Sequence, residues 1–282
     1  MSFLQNYFLS LRPKQWIKNS VIFLPIIFSG TASNIWDLWL VILIALLFSL
    51  LMGSLYIIND IIDIKKDRLH PTKSRRPIAA GKITVQSAGW SAGISIILLL
   101  YILYVLHPLV AGIALLYITN TLAYSFYLKK IVLLDVISIA FWFLGRVWIG
   151  AAIIDVVPSA WLLVMIFFGA LYLGFLKRYQ EKRLQTSTRA VLRDYGTAFL
   201  EQIISVMMVL LIITYSLYAF QWSHGAEMLL TVPFVVYGIL RLQYSIFQKE
   251  RWSQSYEELI LHDTGLVISM VLYFLLVLFL LY

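Results

Sequence analysis

The feature that most constrains this chain is a series of apolar segments, each long enough to cross a lipid bilayer. A transmembrane helix needs about 20 consecutive, mostly apolar residues, whereas a strand of a transmembrane β-barrel shows about ten residues of alternating hydrophobicity. The segments are too long and too uniformly apolar for barrel strands, so the sequence predicts an all-α, polytopic membrane protein. The nine predicted spans are 17–34, 36–58, 85–106, 108–128, 131–153, 160–176, 198–220, 226–246 and 265–282.

The composition excludes several classes of protein and site. Hydrophobic residues make up 61% of the 282 residues and charged residues 13%, about half the charged fraction of an average soluble domain. The chain has no cysteine, which excludes disulfides, thiolate metal sites and a cysteine nucleophile. Its four histidines show no metal-ligand spacing, so we expect neither zinc nor haem. No linker or low-complexity tract is visible, and we expect one domain over residues 1–282.

The distribution of charge over the predicted loops indicates both a topology and a ligand. With nine spans, 21 of the 22 Lys and Arg residues lie on one side of the membrane, which the positive-inside rule makes cytoplasmic. Eleven of the 14 Asp and Glu residues lie on that side too, although the topology rule does not require them there. Acids at helix ends within a basic surface suit a cytosolic polyanion held through a divalent cation. Nucleic acid is not an expected partner, because no soluble domain or aromatic and basic platform is present.

An acidic stripe closes the second predicted span. On a helix, Asp60, Asp63 and Asp67 are spaced i, i+3, i+7, and Asn59 joins Asp63 and Asp67 at i, i+4, i+8. Either set places its oxygens on one face. Three like charges on one stripe repel unless a cation lies among them, and Mg²⁺ prefers carboxylate and phosphate oxygens. The alternative is a solvated helix end with salt bridges to Lys65, Lys66 and Arg68.

A short basic run follows the acidic stripe within one loop. It contains Lys73, Arg75 and Arg76, and the guanidinium fork of arginine matches phosphate oxygens in pairs. Alone, such a cluster reads most simply as a consequence of the positive-inside rule. Beside the carboxylates, it predicts phosphate binding.

These two motifs carry a resemblance to a known family. The run NDIIDIKKDRLHPTKSRRP beginning at Asn59 resembles the first aspartate motif of the UbiA superfamily of intramembrane transferases, whose members have nine transmembrane helices and mostly move a prenyl chain from its diphosphate. The segments DRLHPTKSRRPIAAG, LRPKQWIKN, KRYQE and EELILHD resemble, within it, the polyprenyl-phosphate phosphoribosyltransferases, typified by the decaprenylphosphoryl-5-phosphoribose synthase.

The second motif of that superfamily has a counterpart where the fourth span ends and the fifth begins. Tyr124, Lys129, Lys130 and Asp135 resemble the family's tyrosine, lysine and acid, which face the first aspartate stripe across a cavity. Prenyltransferases commonly offer a second acid four residues on, where this chain has Ile139, so a full second metal site is not expected. The alternatives for Asp135 are to bind one cation or to orient Lys129 or a sugar hydroxyl.

The remaining candidates have two interpretations each. Arg146 lies within the fifth span, where a buried guanidinium is costly unless paired, and it either holds a lipid phosphate or pairs with a polar group of another helix. The resemblance implies that Lys177 and Arg178 contact phosphate, although topology alone also explains them. Residues of the last cytoplasmic loop match the branch without a derivable chemistry: Arg241, Tyr244, Glu257, Glu258 and Asp263.

The predicted site is the sum of these motifs. The predicted magnesium ligands are Asn59, Asp60, Asp63 and Asp67. The predicted catalytic residues are Asp63, Asp67, Lys129 and Asp135. The predicted substrate-binding residues are Lys14, Lys18, Lys73, Arg75, Arg76, Tyr124, Lys130, Arg146, Lys177 and Arg178.

The resemblance implies a reaction and a location. It implies Mg²⁺-dependent transfer of a 5-phosphoribosyl group from phosphoribosyl pyrophosphate to a polyprenyl phosphate, in a helical bundle whose polar cavity faces the cytoplasm at a bacterial inner membrane. One alternative is a prenyltransferase that uses a prenyl diphosphate and an aromatic or lipid acceptor. A second is a transporter, which usually shows paired repeats with broken helices at the midplane. A homo-oligomer is left open.

Overall fold

The fold is all-helical, as the sequence predicts. The computed structural model describes residues 3–30, 33–70, 73–184, 190–221, 225–248, 259–260 and 262–281, and these ranges contain no β-strand. The α-helices are α1 Phe3–Ser10, α2 Leu24–Phe28, α3 Ile35–Ile62, α4 Ile64–Arg68, α5 Val85–Leu106, α6 Pro108–Phe126, α7 Leu134–Ala152, α8 Ala160–Arg183, α9 Thr197–Gln221, α10 Gly225–Met228, α11 Val232–Phe247 and α12 Thr264–Leu281. The 3₁₀-helices are Pro13–Phe23, Lys73–Arg75, Leu128–Lys130, Ala190–Arg193 and Leu229–Thr231.

Seven helical segments within the described ranges are long and apolar enough to cross a membrane. Six of them contain α3, α5, α6, α7, α8 and α9, and the seventh, Leu229–Phe247, joins a 3₁₀ turn to α11. An eighth apolar helix, at Thr264–Leu280, is shorter. The chain is therefore a multi-pass membrane protein, and the predicted count of nine spans is not confirmed.

The first predicted span, 17–34, is helical over much of its length but is not one continuous α-helix. The structure has a 3₁₀-helix at Pro13–Phe23 followed by the five-residue helix α2, and residues 31–32 lie outside the described part. A 3₁₀ run of this length is uncommon, and contacts from outside the segment accompany it. Asn19 donates to Ser49 Oγ at 2.8 Å, and the Ile22 carbonyl lies against Gly150. Hydropathy records the apolar composition of this segment and carries no information about such tertiary contacts.

The chain forms two compact units, each made of two separate stretches of sequence. The first unit comprises Met1–Ser125 and Gly145–Val157. Its core lies between α3 and its neighbours, where Ile44, Phe48 and Leu51 are fully buried together with Leu103 and Ile149. Burying such side chains from the same face of a long helix positions the polar end of α3, which carries the predicted acidic stripe.

The second unit comprises Phe126–Leu144 and Pro158–Tyr282. Its core is formed largely by α8 and α9, where Tyr172, Phe175 and Leu176 are buried with Leu200 and Ile204. The last turns of α8, which carry the predicted basic residues of the KRYQE run, continue directly from this core.

An ion pair between Arg241 and the buried Asp263 joins α11 to α12 inside the second unit. Asp263 caps α12, because its Oδ1 accepts hydrogen bonds from the amides of Gly265 at 3.1 Å and Leu266 at 3.3 Å. Arg241 Nε donates to the same oxygen at 3.0 Å, and Ser245 donates to Oδ2 at 3.2 Å. Burial on its own would raise the pKa of Asp263, but these hydrogen bonds hold the pKa below its ordinary value. The sequence left this pair without a role, and the structure gives it one in holding α12.

Replacement of Gly150 by alanine tests the docking of the 3₁₀ segment. A Cβ at this position would overlap the Ile22 carbonyl oxygen, so Gly150→Ala must displace backbone and should lower the free energy of unfolding by about 2 kcal/mol or more. Gly112→Ala on α6 is the matched control, because nothing lies within 4 Å of its Cβ. Thermal unfolding of the two variants in the same detergent measures the difference, and equal melting temperatures would contradict this packing.

Candidate active site

The predicted acidic stripe lies where α3 ends. Asp63 has φ −91° and ψ 7°, which ends α3 and starts the short helix α4. Asp60 and Asp67 are only 4% and 3% exposed. Lys65, Lys66 and Arg68 are exposed, so the acids occupy the protected face and the basic residues occupy the opposite face. The predicted shared face is therefore present for these two acids despite the interruption at Asp63.

Arg76 joins these two carboxylates. Its Nη1 donates to Asp60 Oδ1 at 2.9 Å and to Asp67 Oδ2 at 2.6 Å. The Arg76 side chain is 29% exposed while both carboxylates are nearly buried, so the guanidinium lies between the acids and the surface. Two residues that the sequence predicted as metal ligands and one predicted as a phosphate ligand thus form one charged group.

Arg12 is a member of this group that the sequence analysis missed. Its guanidinium donates to Asp60 Oδ1 and lies over the Tyr56 ring, 5.0 Å from the centroid. Its backbone has φ +53°, which a residue with a side chain rarely adopts. The preceding turn packs tightly on α3, because a Cβ at Gly53 would lie 2.9 Å from Leu11. Arg12 lies in the LRPKQWIKN segment, which carries part of the family resemblance, but in the sequence it was interpreted only as one of the positive charges of the predicted loops.

Four side chains form a carboxylate–arginine cluster: Arg12, Asp60, Asp67 and Arg76. It lies in the first unit and combines two acids with two guanidinium groups. Burying a carboxylate without a partner is costly, and each acid here receives at least one charged hydrogen bond. The predicted alternative of salt bridges to Lys65, Lys66 and Arg68 is not the arrangement seen, because these acids pair with arginines from other segments.

The donor set of this cluster fits a magnesium ion bound together with a phosphate ligand. The described part of the chain contains no group of three or more Asp, Glu or His side chains placed to chelate a metal by themselves. Magnesium commonly uses one or two carboxylates and completes its shell with water and substrate phosphates. Because Asp60 and Asp67 both converge on the Arg76 guanidinium, the pair can hold a cation.

The other residues of this motif lie nearby in the sequence with different exposures. Asn59 Oδ1 accepts a hydrogen bond from Ser125 at 2.7 Å, which fixes the orientation of the amide. Asp63 and Lys73 are half-buried, and Arg75 is exposed. The magnesium-ligand roles of Asn59 and Asp63 and the phosphate roles of Lys73 and Arg75 remain predictions.

Arg146 is held by neutral polar groups of the first unit. It is 4% exposed, and its Nε donates to Asn19 Oδ1 at 2.9 Å while Nη2 donates to Tyr117 Oη at 2.7 Å. Asn19 lies in the 3₁₀ segment and Tyr117 on α6. These contacts match the second of the two predicted alternatives, in which Arg146 pairs with polar groups of other helices.

Asp135 forms a second buried charged group, in the second unit. It has no exposed surface, and its Oδ2 accepts a hydrogen bond from Arg178 Nε at 2.6 Å. Arg178 also donates from Nη1 to Glu181 at 2.9 Å. The sequence predicted a cation, lysine or sugar ligand for Asp135 and a phosphate contact for Arg178. In the structure the two residues pair with each other, and the predicted roles remain predictions.

Tyr195 completes the Asp135 group and was missed by the sequence analysis. Its hydroxyl donates to Asp135 Oδ1 at 2.7 Å and accepts from the Leu133 amide at 2.8 Å. Burial, together with the hydrogen bond to Asp135, raises the pKa of Tyr195 above its ordinary value, so the hydroxyl keeps its proton and remains a donor. No pattern around Tyr195 marks it in the sequence, because its partners are about 60 residues away.

The remaining predicted residues are placed individually. Lys14 and Lys130 are exposed, whereas Tyr124, Lys129 and Lys177 are half-buried. Lys18 donates to Gln15 at 2.7 Å. Their roles in binding substrate remain predictions. Glu257 and Glu258 lie outside the described residues.

Comparison with known proteins supports the resemblance on sequence and on fold. The decaprenyl-phosphate phosphoribosyltransferase of Mycolicibacterium smegmatis is 32% identical over 228 residues, which cover 78% of this chain and 72% of that protein. The protein of the same name from Corynebacterium glutamicum is 30% identical over 250 residues, covering 82% and 74%.

A solved structure and a family model agree with these relatives. The structure of a UbiA homologue from Archaeoglobus fulgidus, bound to DMAPP and Mg²⁺, superposes with a TM-score of 0.69 over 98% of this chain and 99% of that chain. Its sequence identity of 18% supports the fold alone. The model of the UbiA prenyltransferase family matches residues 20–257. The chain therefore belongs to the UbiA prenyltransferase family of membrane transferases.

Proposed function

We propose that this chain transfers a 5-phosphoribosyl group from phosphoribosyl pyrophosphate to a polyprenyl phosphate and releases pyrophosphate. The observation that carries the proposal is the carboxylate–arginine cluster at the end of a membrane-spanning helix, in a chain whose relatives are named decaprenyl-phosphate phosphoribosyltransferases. Transfer from a soluble, anionic donor to a lipid acceptor requires a site at the membrane surface, and a charged cluster at the end of a spanning helix suits that requirement. The basic loops on the side of these acids support a cytoplasmic site, and the bacterial relatives support a bacterial inner membrane.

The acids of the cluster are suited to bind the diphosphate of the donor through a metal. Asp60 and Asp67 would hold Mg²⁺ together with Asn59 and Asp63 from the same helical stripe. Bound there, Mg²⁺ supplies positive charge that offsets the charge developing on the leaving pyrophosphate. Carboxylates and diphosphate repel each other without such a cation, so this proposal requires a divalent ion for activity.

The arginines of the cluster are suited to bind phosphate oxygens directly. Arg76 presents a planar fork that matches two phosphate oxygens, and 29% of its side chain remains accessible while it holds Asp60 and Asp67. Lys73 and Arg75 precede it on the same loop and would add positive charge for the donor. Such preorganised donors stabilise charge in the transition state without moving protons.

The transfer step needs no dedicated base. The second ionisation of a phosphate monoester has a pKa of about 6, so the acceptor phosphate carries a nucleophilic oxyanion at neutral pH. That oxygen forms a bond to the anomeric carbon of the ribose, and the bond from this carbon to the pyrophosphate oxygen breaks. Pyrophosphate leaves with the electron pair of the broken bond. We further propose that Lys129 and Lys130, in the turn before α7, bind phosphate.

The direct test is transfer of label to lipid. Purified protein in detergent, given phosphoribosyl pyrophosphate labelled in the ribose and a polyprenyl phosphate, should form a labelled lipid with Mg²⁺ and none with excess chelator. Thin-layer chromatography of the organic phase measures the product. Absence of labelled lipid under all metal conditions would overturn the proposal.

A parallel arm addresses the alternative reaction of the family. Labelled prenyl diphosphate with an aromatic or lipid acceptor replaces the sugar donor in the same assay. Prenylated product without phosphoribosylated lipid would assign the chain a conventional prenyltransferase activity. We expect the reverse result.

Removal of one charge from the cluster should sharply reduce turnover. Asp67→Asn keeps the size of the side chain but loses the charge that pairs with Arg76, and we expect kcat/KM to fall at least about 100-fold. Asp37→Asn is the matched control, because Asp37 lies in the first turn of the same helix, α3. Steady-state kinetics measure both variants, and retained turnover in Asp67→Asn would contradict the role of the cluster.

A further inference from the structure

The segment that carries Lys129 and Lys130 ends on an unusual backbone conformation. These lysines lie in the 3₁₀ turn Leu128–Lys130, and Leu133, just before α7, has φ +69°. Residues with a branched Cγ rarely adopt this left-handed region, and they persist there only when the surroundings hold them. The structure therefore must supply an interaction that fixes Leu133.

A single hydroxyl supplies it. Tyr195 Oη accepts the Leu133 amide hydrogen at 2.8 Å and donates its own hydrogen to Asp135 Oδ1 at 2.7 Å. It thus holds the strained residue and the first turn of α7 at the same time. The other carboxylate oxygen of Asp135 is bound to Arg178 at 2.6 Å, so both oxygens of this fully buried acid are engaged.

Tyr195 is itself held firmly. It is 1% exposed, and its ring packs edge-on against Phe175 and stacks on Phe199, with centroid distances of 6.4 and 6.2 Å. Lys182 at the end of α8 donates to the carbonyl oxygens of Leu192, at 3.2 Å, and of Tyr195. A buried polar network whose members are all bonded is rigid, and this one connects α8 to the lysine turn.

We infer that Tyr195 is a positioning residue that, through Leu133 and Asp135, holds the turn presenting Lys129 and Lys130 to phosphate. In this arrangement Asp135 acts on the turn indirectly, through its hydrogen bonds with Tyr195 and Arg178. The inference rests on the proposed function for its phosphate ligand, but the mechanical part, in which the Tyr195 hydroxyl holds the turn, is a property of the chain alone.

The first experiment measures the turn directly. Tyr195→Phe removes the hydroxyl and keeps the ring that packs on Phe175 and Phe199. Hydrogen exchange of residues 128–135 in the purified protein should become faster, by about tenfold at the Leu133 amide. Tyr179→Phe is the matched control, because Tyr179 is a buried tyrosine of α8 whose hydroxyl accepts from Arg183 instead. It should leave exchange of residues 128–135 unchanged.

The second experiment separates positioning from general destabilisation. Tyr195→Phe should lower kcat/KM about tenfold, mainly through KM for phosphoribosyl pyrophosphate. In a double-mutant cycle with Lys129→Ala, the two effects should be clearly less than additive, because both remove the same positioned amine. Fully additive effects would overturn the inference.

A third variant keeps the test valid if Tyr195→Phe is poorly folded. Glycine adopts positive φ at no steric cost, so Leu133→Gly should make the turn less dependent on the hydroxyl. The double variant Leu133→Gly with Tyr195→Phe should recover part of the lost kcat/KM. No recovery, together with unchanged exchange in Tyr195→Phe, would show that the hydroxyl does not hold the turn.

The outcomes distinguish this inference from the proposed function. Wild-type protein that transfers no phosphoribosyl group would overturn the proposed function, while faster exchange in Tyr195→Phe would still support the mechanical part. Normal wild-type transfer with unchanged exchange and unchanged KM in Tyr195→Phe would overturn the positioning role alone.

Discussion

The interaction on which the rest of the site depends is the bridge from Arg76 to the carboxylates of Asp60 and Asp67. Acids at the end of a spanning helix repel one another and lose hydration where the helix packs, so they require positive partners. Arg76 and Arg12 provide these partners from two separate segments. The same oxygens and guanidinium groups are those that a magnesium diphosphate needs, so one charge-balanced cluster suits both the free protein and the proposed complex.

A second principle of the structure is that buried charge in each unit is paired through several segments. Arg146 is bonded to Asn19 and Tyr117 in the first unit. Asp135 is bonded to Arg178 and Tyr195 in the second. Unpaired charge within a membrane protein is expensive, and these networks offset that cost by joining helices that are distant in sequence. They also tie the local structure of polar turns to the apolar cores.

The sequence predicted those features that depend on short-range periodicity. The apolar runs predicted the long helices, and the spacing of Asp60 and Asp67 placed both acids on one protected face. Arg76 was predicted to bind phosphate because it follows the stripe in the same loop; the structure shows it on the two carboxylates, and its phosphate role stays a prediction. The family was also predicted correctly, because its first motif is a contiguous run of residues. Such a run can be recognised without knowledge of tertiary contacts.

The features that the sequence did not predict depend on long-range contacts. The 3₁₀-helix at Pro13–Phe23 packs its backbone against Gly150, which no hydropathy window records. Arg12 and Tyr195 reach partners 48 and about 60 residues away, so neither shows a local spacing.

The most direct measurement of the central claim is the binding of Mn²⁺, as a paramagnetic substitute for Mg²⁺, by electron paramagnetic resonance in the presence of pyrophosphate. Wild-type protein should bind Mn²⁺ with pyrophosphate, and the double variant Asp60→Asn, Asp67→Asn should bind it at least about tenfold more weakly. Equal Mn²⁺ binding by the two proteins would contradict the assignment of the diphosphate site to this cluster.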